Sequence, residues 1–129
     1  MPAASQIRAL IVDDQTSVRS ILANSLSEIG FTHIAQRKDG TEALAFLKDN
    51  PTHLVISDFN MPNMDGLALL RAVRANPTTQ KVAFIILTGE ANKDLVQDAI
   101  KAGVNNFLAK PYTVAKLREV LEKVFGALK

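Results

Sequence analysis

The sequence predicts an α/β fold in which one parallel, five-stranded sheet carries helices on both faces. Three observations predict it. Five short apolar stretches alternate with five longer stretches of helical period, and strands that alternate with helices pair in parallel through crossovers. Two of the short stretches, Leu54-Val55-Ile56 and Val82 to Leu87 (VAFIIL), are apolar without alternation, as strands covered on both faces are. The connections are short, and the right-handed crossover rule then fixes most of the topology. A chain of 129 residues is expected to form one domain, residues 1–129, around one core.

The elements follow in order. Residues 8–13 (RALIVD) form an apolar run ending on two acids, Asp13 and Asp14. From Thr16, Val18, Ile21, Leu22, Ser25, Leu26 and Ile29 keep the i, i+3, i+4, i+7 spacing of a helix, which Gly30 closes. A weak strand at 34–36 leads through Asp39-Gly40 to a short helix, 42–49, stopped by Pro51. The strand at 54–58 enters a Pro/Asn/Asp/Gly loop, and Asp65-Gly66 opens a helix carrying Leu67, Leu70 and Val73. After the strand at 82–87 comes Thr88-Gly89-Glu90, then a helix over about 93–102 presenting Leu95, Ala99 and Ile100. The last strand, 106–109, reaches Lys110-Pro111, and Thr113 caps a final helix with Leu117, Leu121, Val124 and Leu128 on one side.

Composition narrows the function. Hydrophobic residues at 47% and charged residues at 22% are those of an ordinary soluble domain. The absence of cysteine excludes disulfides, thiolate metal sites and cysteine nucleophiles. No stretch has signal-peptide or membrane-spanning character, so a cytoplasmic protein without membrane contact is expected. The net charge is only +2, and the basic residues are scattered and not interleaved with aromatics, which argues against nucleic-acid binding.

The chemistry lies where the strands end. Four of the five end on reactive side chains: Asp13-Asp14, Asp58, Thr88 and Lys110. A parallel sheet brings these ends to one edge, where α/β folds bind their ligands. Three clustered carboxylates raise one another's pKa, and a hard divalent cation such as Mg²⁺ makes them compatible. Without a histidine at hand, zinc or a late transition metal is not indicated. Lys110 and Thr88 offer a point charge and a hydroxyl to phosphoryl oxygens, completing a site for in-line phosphoryl transfer onto Asp58. Two residues on, Asn60 cannot act as the general acid/base that a metal-dependent aspartate phosphatase uses, so an aspartyl phosphate should persist.

Asp13-Asp14, SDFNMPNMDG at 57–66, LTGE at 87–90 and AKPYT at 109–113, in this order, resemble the receiver domain of bacterial response regulators, in particular its single-domain chemotaxis members. The resemblance covers nearly the whole chain. It implies the three-layer, flavodoxin-like doubly wound fold with strand order 2-1-3-4-5. It makes Asp58 the phosphoacceptor and places Mg²⁺ on Asp14, Asp58 and the Asn60 backbone carbonyl, with Asp13 contributing mainly through water. Thr88 and Lys110 hold the phosphoryl oxygens, and the Lys110-Pro111 bond is expected to be cis. Phe107 falls at the switch aromatic, a tyrosine in the chemotaxis members, so a hydrogen bond of the inward rotamer is lost. Glu90 and Tyr112 fall on the partner surface.

The function so implied is a monomeric, stand-alone two-component switch, and not an enzyme in the ordinary sense. A sensor histidine kinase (CheA-like) donates the phosphoryl group, and the face of the fourth helix, last strand and final helix then binds a flagellar motor switch protein. A relay or phosphate sink that exchanges with a histidine phosphotransfer protein is the alternative, and an aspartate phosphatase a more distant one. Plain packing roles stay open for Phe107 and Tyr112, whereas His33 and His53 read as surface residues.

Overall fold

A computed structural model of the chain describes residues 3–89 and 93–128. Its sheet contains β1 (Arg8–Val12), β2 (His33–Arg37), β3 (Leu54–Asp58), β4 (Ala83–Thr88) and β5 (Asn106–Ala109), all parallel in the order β2-β1-β3-β4-β5. The helices are α1 (Thr16–Ile29), α2 (Gly40–Asp49), α3 (Gly66–Ala75), α4 (Lys93–Ala102) and α5 (Val114–Phe125). This is the doubly wound, three-layer arrangement and strand order expected. A short 3₁₀ turn, Ala4–Gln6, precedes β1 and has no periodic signal in the sequence. Among the described residues no helix is long and apolar enough to cross a membrane.

Strand side chains alternate between faces, which divides the core in two. Ile11, Ile56, Ile85, Leu87 and Leu108 pack with Leu22, Leu26 and Ile29 of α1 and Leu117, Val120 and Leu121 of α5. Leu10, Val12, Val55, Phe84 and Ile86 pack with Ala43 and Leu47 of α2, Leu69, Leu70 and Val73 of α3 and Ala99 of α4. β3 and β4 are buried along their whole length, as their unbroken apolar runs require, whereas the edge strand β2 is half-exposed.

Local chemistry sets the element ends. Asp39, Asp65 and Thr113 cap α2, α3 and α5 by accepting from the N–H of Glu42, Ala68 and Lys116 at 2.8, 2.8 and 3.0 Å. Gly30 ends α1 at φ 123°, donating to Leu26 and Ser27 carbonyls. Three apolar positions depart from the helical reading. Ile21 and Ile100 are 60% and 61% exposed, lying outside the stripes their helices bury. α5 stops at Phe125, yet Leu128 still reaches the core because the chain turns back beyond Gly126, with the Leu128 N–H on Glu122 Oε2 at 3.1 Å.

Candidate functional site

The carboxyl ends of β1, β3, β4 and β5 meet at one edge of the sheet. β3 ends on Asp58, 8% exposed, and β4 on Thr88, 2% exposed. One residue past β1 stands Asp13, 2% exposed, its N–H tied to the Arg37 carbonyl at the end of β2. Asp14 follows it into solvent. One residue past β5 stands Lys110, its N–H on the Thr88 carbonyl at 2.9 Å, and the Lys110-Pro111 bond is cis, as expected. Carboxylate oxygens of Asp13, Asp14 and Asp58 all lie within 4.8 Å of one another. Lys110 Nζ donates to Asp58 Oδ1 at 2.9 Å and stands 3.9 Å from Asp13 Oδ2.

The electrostatics are those of a site waiting for positive charge. Burial pushes the Asp13 carboxyl up, and the charges of Asp58 and Asp14 add to the rise; the Gln15 N–H at 2.8 Å and the Lys110 ammonium oppose it. Asp13 Oδ2 is buried and, among the described residues, has no hydrogen-bond donor. One lysine balances three carboxylates incompletely, and an orphaned buried carboxylate oxygen is the kind of atom a cation or its water shell satisfies. The oxygen-only donor set, with solvent reaching Asp14, fits Mg²⁺.

Two residues that sequence reasoning passed over hold this edge together. Gly66, the first residue of α3, donates its N–H to the Phe59 carbonyl at 2.8 Å, and a Cβ there would lie 2.6 Å from the Asp58 carbonyl oxygen. A glycine directly after a helix cap, where alanine is the better helix former, is the available signal for such a close approach. Arg19, on α1, donates to the main-chain carbonyl of Asp13 and, at 3.2 Å, to Thr16 Oγ1. Nothing in its position, one turn into an amphipathic helix, marks it out beforehand.

The remaining candidates fall around this centre. Asn60 is exposed in the loop leaving β3, and Phe59, Met61 and Met64 of that loop pack on the α2–α4 side of the core. Phe107 is half-buried on that same side, opposite Ile86. Tyr112 packs on the α1–α5 side; its hydroxyl is buried beside Ser25 but outside hydrogen-bond geometry, and burial pushes it up. Glu90 lies outside the described residues. Both histidines are exposed, as expected, and His53 Nδ1 accepts from the Arg8 N–H at 2.9 Å. A groove of about 660 Å³ beside Thr52, His53 and Lys81 lies toward the N-terminal ends of β3 and β4 and shares no residue with the carboxylate cluster.

Similarity to known proteins agrees with this geometry. Residues 9–122 match the response regulator receiver domain family. The chain is 50% identical over 129 residues, all of both chains, to a probable chemotaxis protein CheY of Rhizobium etli. It is 41% identical over 119 residues to chemotaxis protein CheY of Pseudomonas aeruginosa, covering 92% of this chain and 96% of that one. Among solved structures, chemotaxis protein CheY4 of Vibrio cholerae superposes with a TM-score of 0.86 at 30% identity, covering 92% of this chain and 98% of the other. The receiver domain of a Pseudomonas aeruginosa sensor histidine kinase, whose active-site cleft coordinates a magnesium ion, superposes with a TM-score of 0.84 at 26% identity over 94% and 98% of the two chains. The chain belongs to the response regulator receiver domain family and is a CheY-like member of it.

Proposed function

We propose that this protein is a chemotaxis response regulator that takes a phosphoryl group onto Asp58 and passes the signal on by binding a partner. The observation that carries the reading is the buried Asp58 carboxylate, held by Lys110 at 2.9 Å inside a cluster of three acids. The relatives named as chemotaxis proteins support the pathway.

A sensor histidine kinase of the CheA type presents phosphohistidine. An Asp58 carboxylate oxygen attacks phosphorus in line, the P–N bond breaks, and its electron pair returns to the imidazole nitrogen. Asp14, Asp58 and the Asn60 carbonyl would hold Mg²⁺, with Asp13 contributing to its site, and the bound ion would supply charge neutralisation at the phosphoryl oxygens. Lys110 fixes the Asp58 carboxylate beforehand and then pairs with a phosphoryl oxygen. Thr88 donates its hydroxyl to another. Asn60 offers no titrating group to activate water, so the acyl phosphate persists long enough to signal.

The readout runs through Thr88 and Phe107 to the face formed by α4, β5 and α5, where Tyr112 belongs to the partner surface. Charge-assisted hydrogen bonds at about 1.5–3 kcal/mol each, two or three of them, match the roughly 5.5 kcal/mol that a full population reversal requires. The target is a flagellar motor switch protein. The protein acts as a monomer in the cytoplasm. Phe107 favours a second reading: without a hydroxyl its inward state lacks a hydrogen bond, which suits a phosphate sink exchanging with a histidine phosphotransfer protein.

Incubation with acetyl phosphate and Mg²⁺ tests the reading. One acid-stable, hydroxylamine-labile phosphate per chain is expected, and none in Asp58→Ala. Label retained by that variant would remove Asp58 from its role. Multiple turnover on small phosphate esters would instead identify a phosphatase.

A further inference from the structure

We propose that Arg19 is a positioning residue for the acidic pair: it holds the peptide between Asp13 and Asp14 so that both carboxylates stay open to a divalent cation. The inference rests on the phosphoryl-transfer reading above. α1 begins without the device that starts its neighbours, since Gln15 at its N-cap makes no side-chain hydrogen bond, whereas Asp39, Asp65 and Thr113 cap α2, α3 and α5. The turn from Asp13 to Thr16 is therefore held by other bonds, and two side chains provide them. Asp13 Oδ1 accepts from the Gln15 N–H at 2.8 Å. The Arg19 guanidinium spans the turn, one nitrogen donating to the Asp13 carbonyl and the other to Thr16 Oγ1 at 3.2 Å.

These two clamps are not equivalent. The first uses a carboxylate oxygen that a cation would draw on. The second uses a main-chain oxygen, so it survives when the carboxylates are engaged. The planar fork of arginine suits two acceptors at fixed separation, which a lysine ammonium matches only in part. Arg19 is half-buried, and among the described residues no carboxylate oxygen lies within 4.0 Å of it. Its charge therefore does not take a place on the acids; Lys110 does. Fixing the Asp13 carbonyl fixes the plane from which the exposed Asp14 leaves the turn.

The sign of one measurement separates positioning from bulk charge. By Coulomb's law alone, removing a cation beside three carboxylates tightens Mg²⁺ binding. A positioning role predicts weaker binding. Calorimetric titration of the intact protein with Mg²⁺ is expected to show Arg19→Met binding about tenfold more weakly than wild type, the size typical of residues that orient metal ligands. The Mg²⁺ concentration that half-saturates labelling by acetyl phosphate should rise by the same factor, with the rate at saturating Mg²⁺ retained. Arg19→Lys, which keeps the charge but only part of the fork, should fall between the two. Affinity equal to or tighter than wild type in Arg19→Met overturns the proposal. If that variant does not melt cooperatively, Arg19→Lys decides: wild-type affinity there also overturns it. Wild type that binds no Mg²⁺ and takes no label would sink the phosphoryl-transfer reading itself, whereas wild type that does both beside unaffected variants sinks only the role of Arg19.

Discussion

Replacing Gly66 by alanine adds one methyl group at the point where α3 meets the backbone of the phosphoacceptor. The new Cβ would stand 2.6 Å from the Asp58 carbonyl oxygen and 3.0 Å from Phe59 Cα, both main-chain atoms with no rotamer to yield. Restoring ordinary contact near 3.5 Å requires α3 and the end of β3 to separate by roughly 1 Å. Overpacking of this kind costs about 1–3 kcal/mol. The better helix propensity of alanine returns at most about 1 kcal/mol, less at a first helical position. A net loss of about 1–2 kcal/mol lowers Tm by roughly 4–8 °C for a domain of this size. The catalytic effect should be larger, because a 1 Å misplacement of a reacting group can slow its chemistry about 100-fold. Thermal melts followed by circular dichroism and the rate of acetyl phosphate labelling at saturating Mg²⁺ measure the two effects. Gly89→Ala is the matched control, since among the described residues nothing lies within 4 Å of its Cβ, and Tm should not move. Gly40→Ala falls between, its obstruction being the flexible Met64 side chain at 2.7–3.0 Å. Wild-type Tm and wild-type labelling in Gly66→Ala would refute the claim that α3 is seated on the phosphoacceptor backbone.

Lys110→Met removes the cation from Asp58 and Asp13, so calorimetric titration of the metal-free protein with Mg²⁺ should show tighter binding while labelling slows by about 100-fold; a parallel loss of both would contradict the division of labour proposed for Lys110. The Asp13 carboxyl is raised, first by burial, above its ordinary value of 3.8, so above that pH the native state keeps a proton that the unfolded chain has lost. Stability of the metal-free protein should therefore fall as pH rises from 3.8 through the native value and then level off. Asp13→Asn removes this term, so melts without metal should show a Tm advantage at neutral pH that closes as pH is lowered toward 3.8. Arg74 donates to the carbonyls of Gln80, Val82 and Gly103 and to Asn105 Oδ1. Arg74→Met strands these acceptors and should cost about 2–4 kcal/mol by urea denaturation, with labelling little changed, because they lie at the N-terminal ends of β4 and β5, away from the carboxylates.

Which parts of this arrangement can be read without a structure follows from how far each signal reaches along the chain. β3 and β4 are legible because burial on both faces leaves an unbroken apolar run, and Asp58 stands out as the residue where one such run stops. The cluster of Asp13, Asp14, Asp58 and Lys110 is legible only through topology: parallel strands put all their carboxyl ends on one side, so residues 52 positions apart, Lys110 and Asp58, meet at 2.9 Å. Helix spacing finds the buried stripe but not its width. It counts Ile21 and Ile100 with the core, although a sheet-facing helix buries a narrower arc than the apolar residues span. Arg19 and Arg74 are beyond pattern reading for a shared reason, and Gly66 is announced only by being a glycine directly after a helix cap. Each acts on main-chain atoms, and main-chain carbonyls have no residue type to announce them. The side chains that react are thus visible in the sequence, while the contacts that aim them are visible only in the fold. Variants such as Gly66→Ala and Arg19→Met consequently test the aim of the site with its reacting groups intact, which no substitution of Asp58 or Lys110 can do.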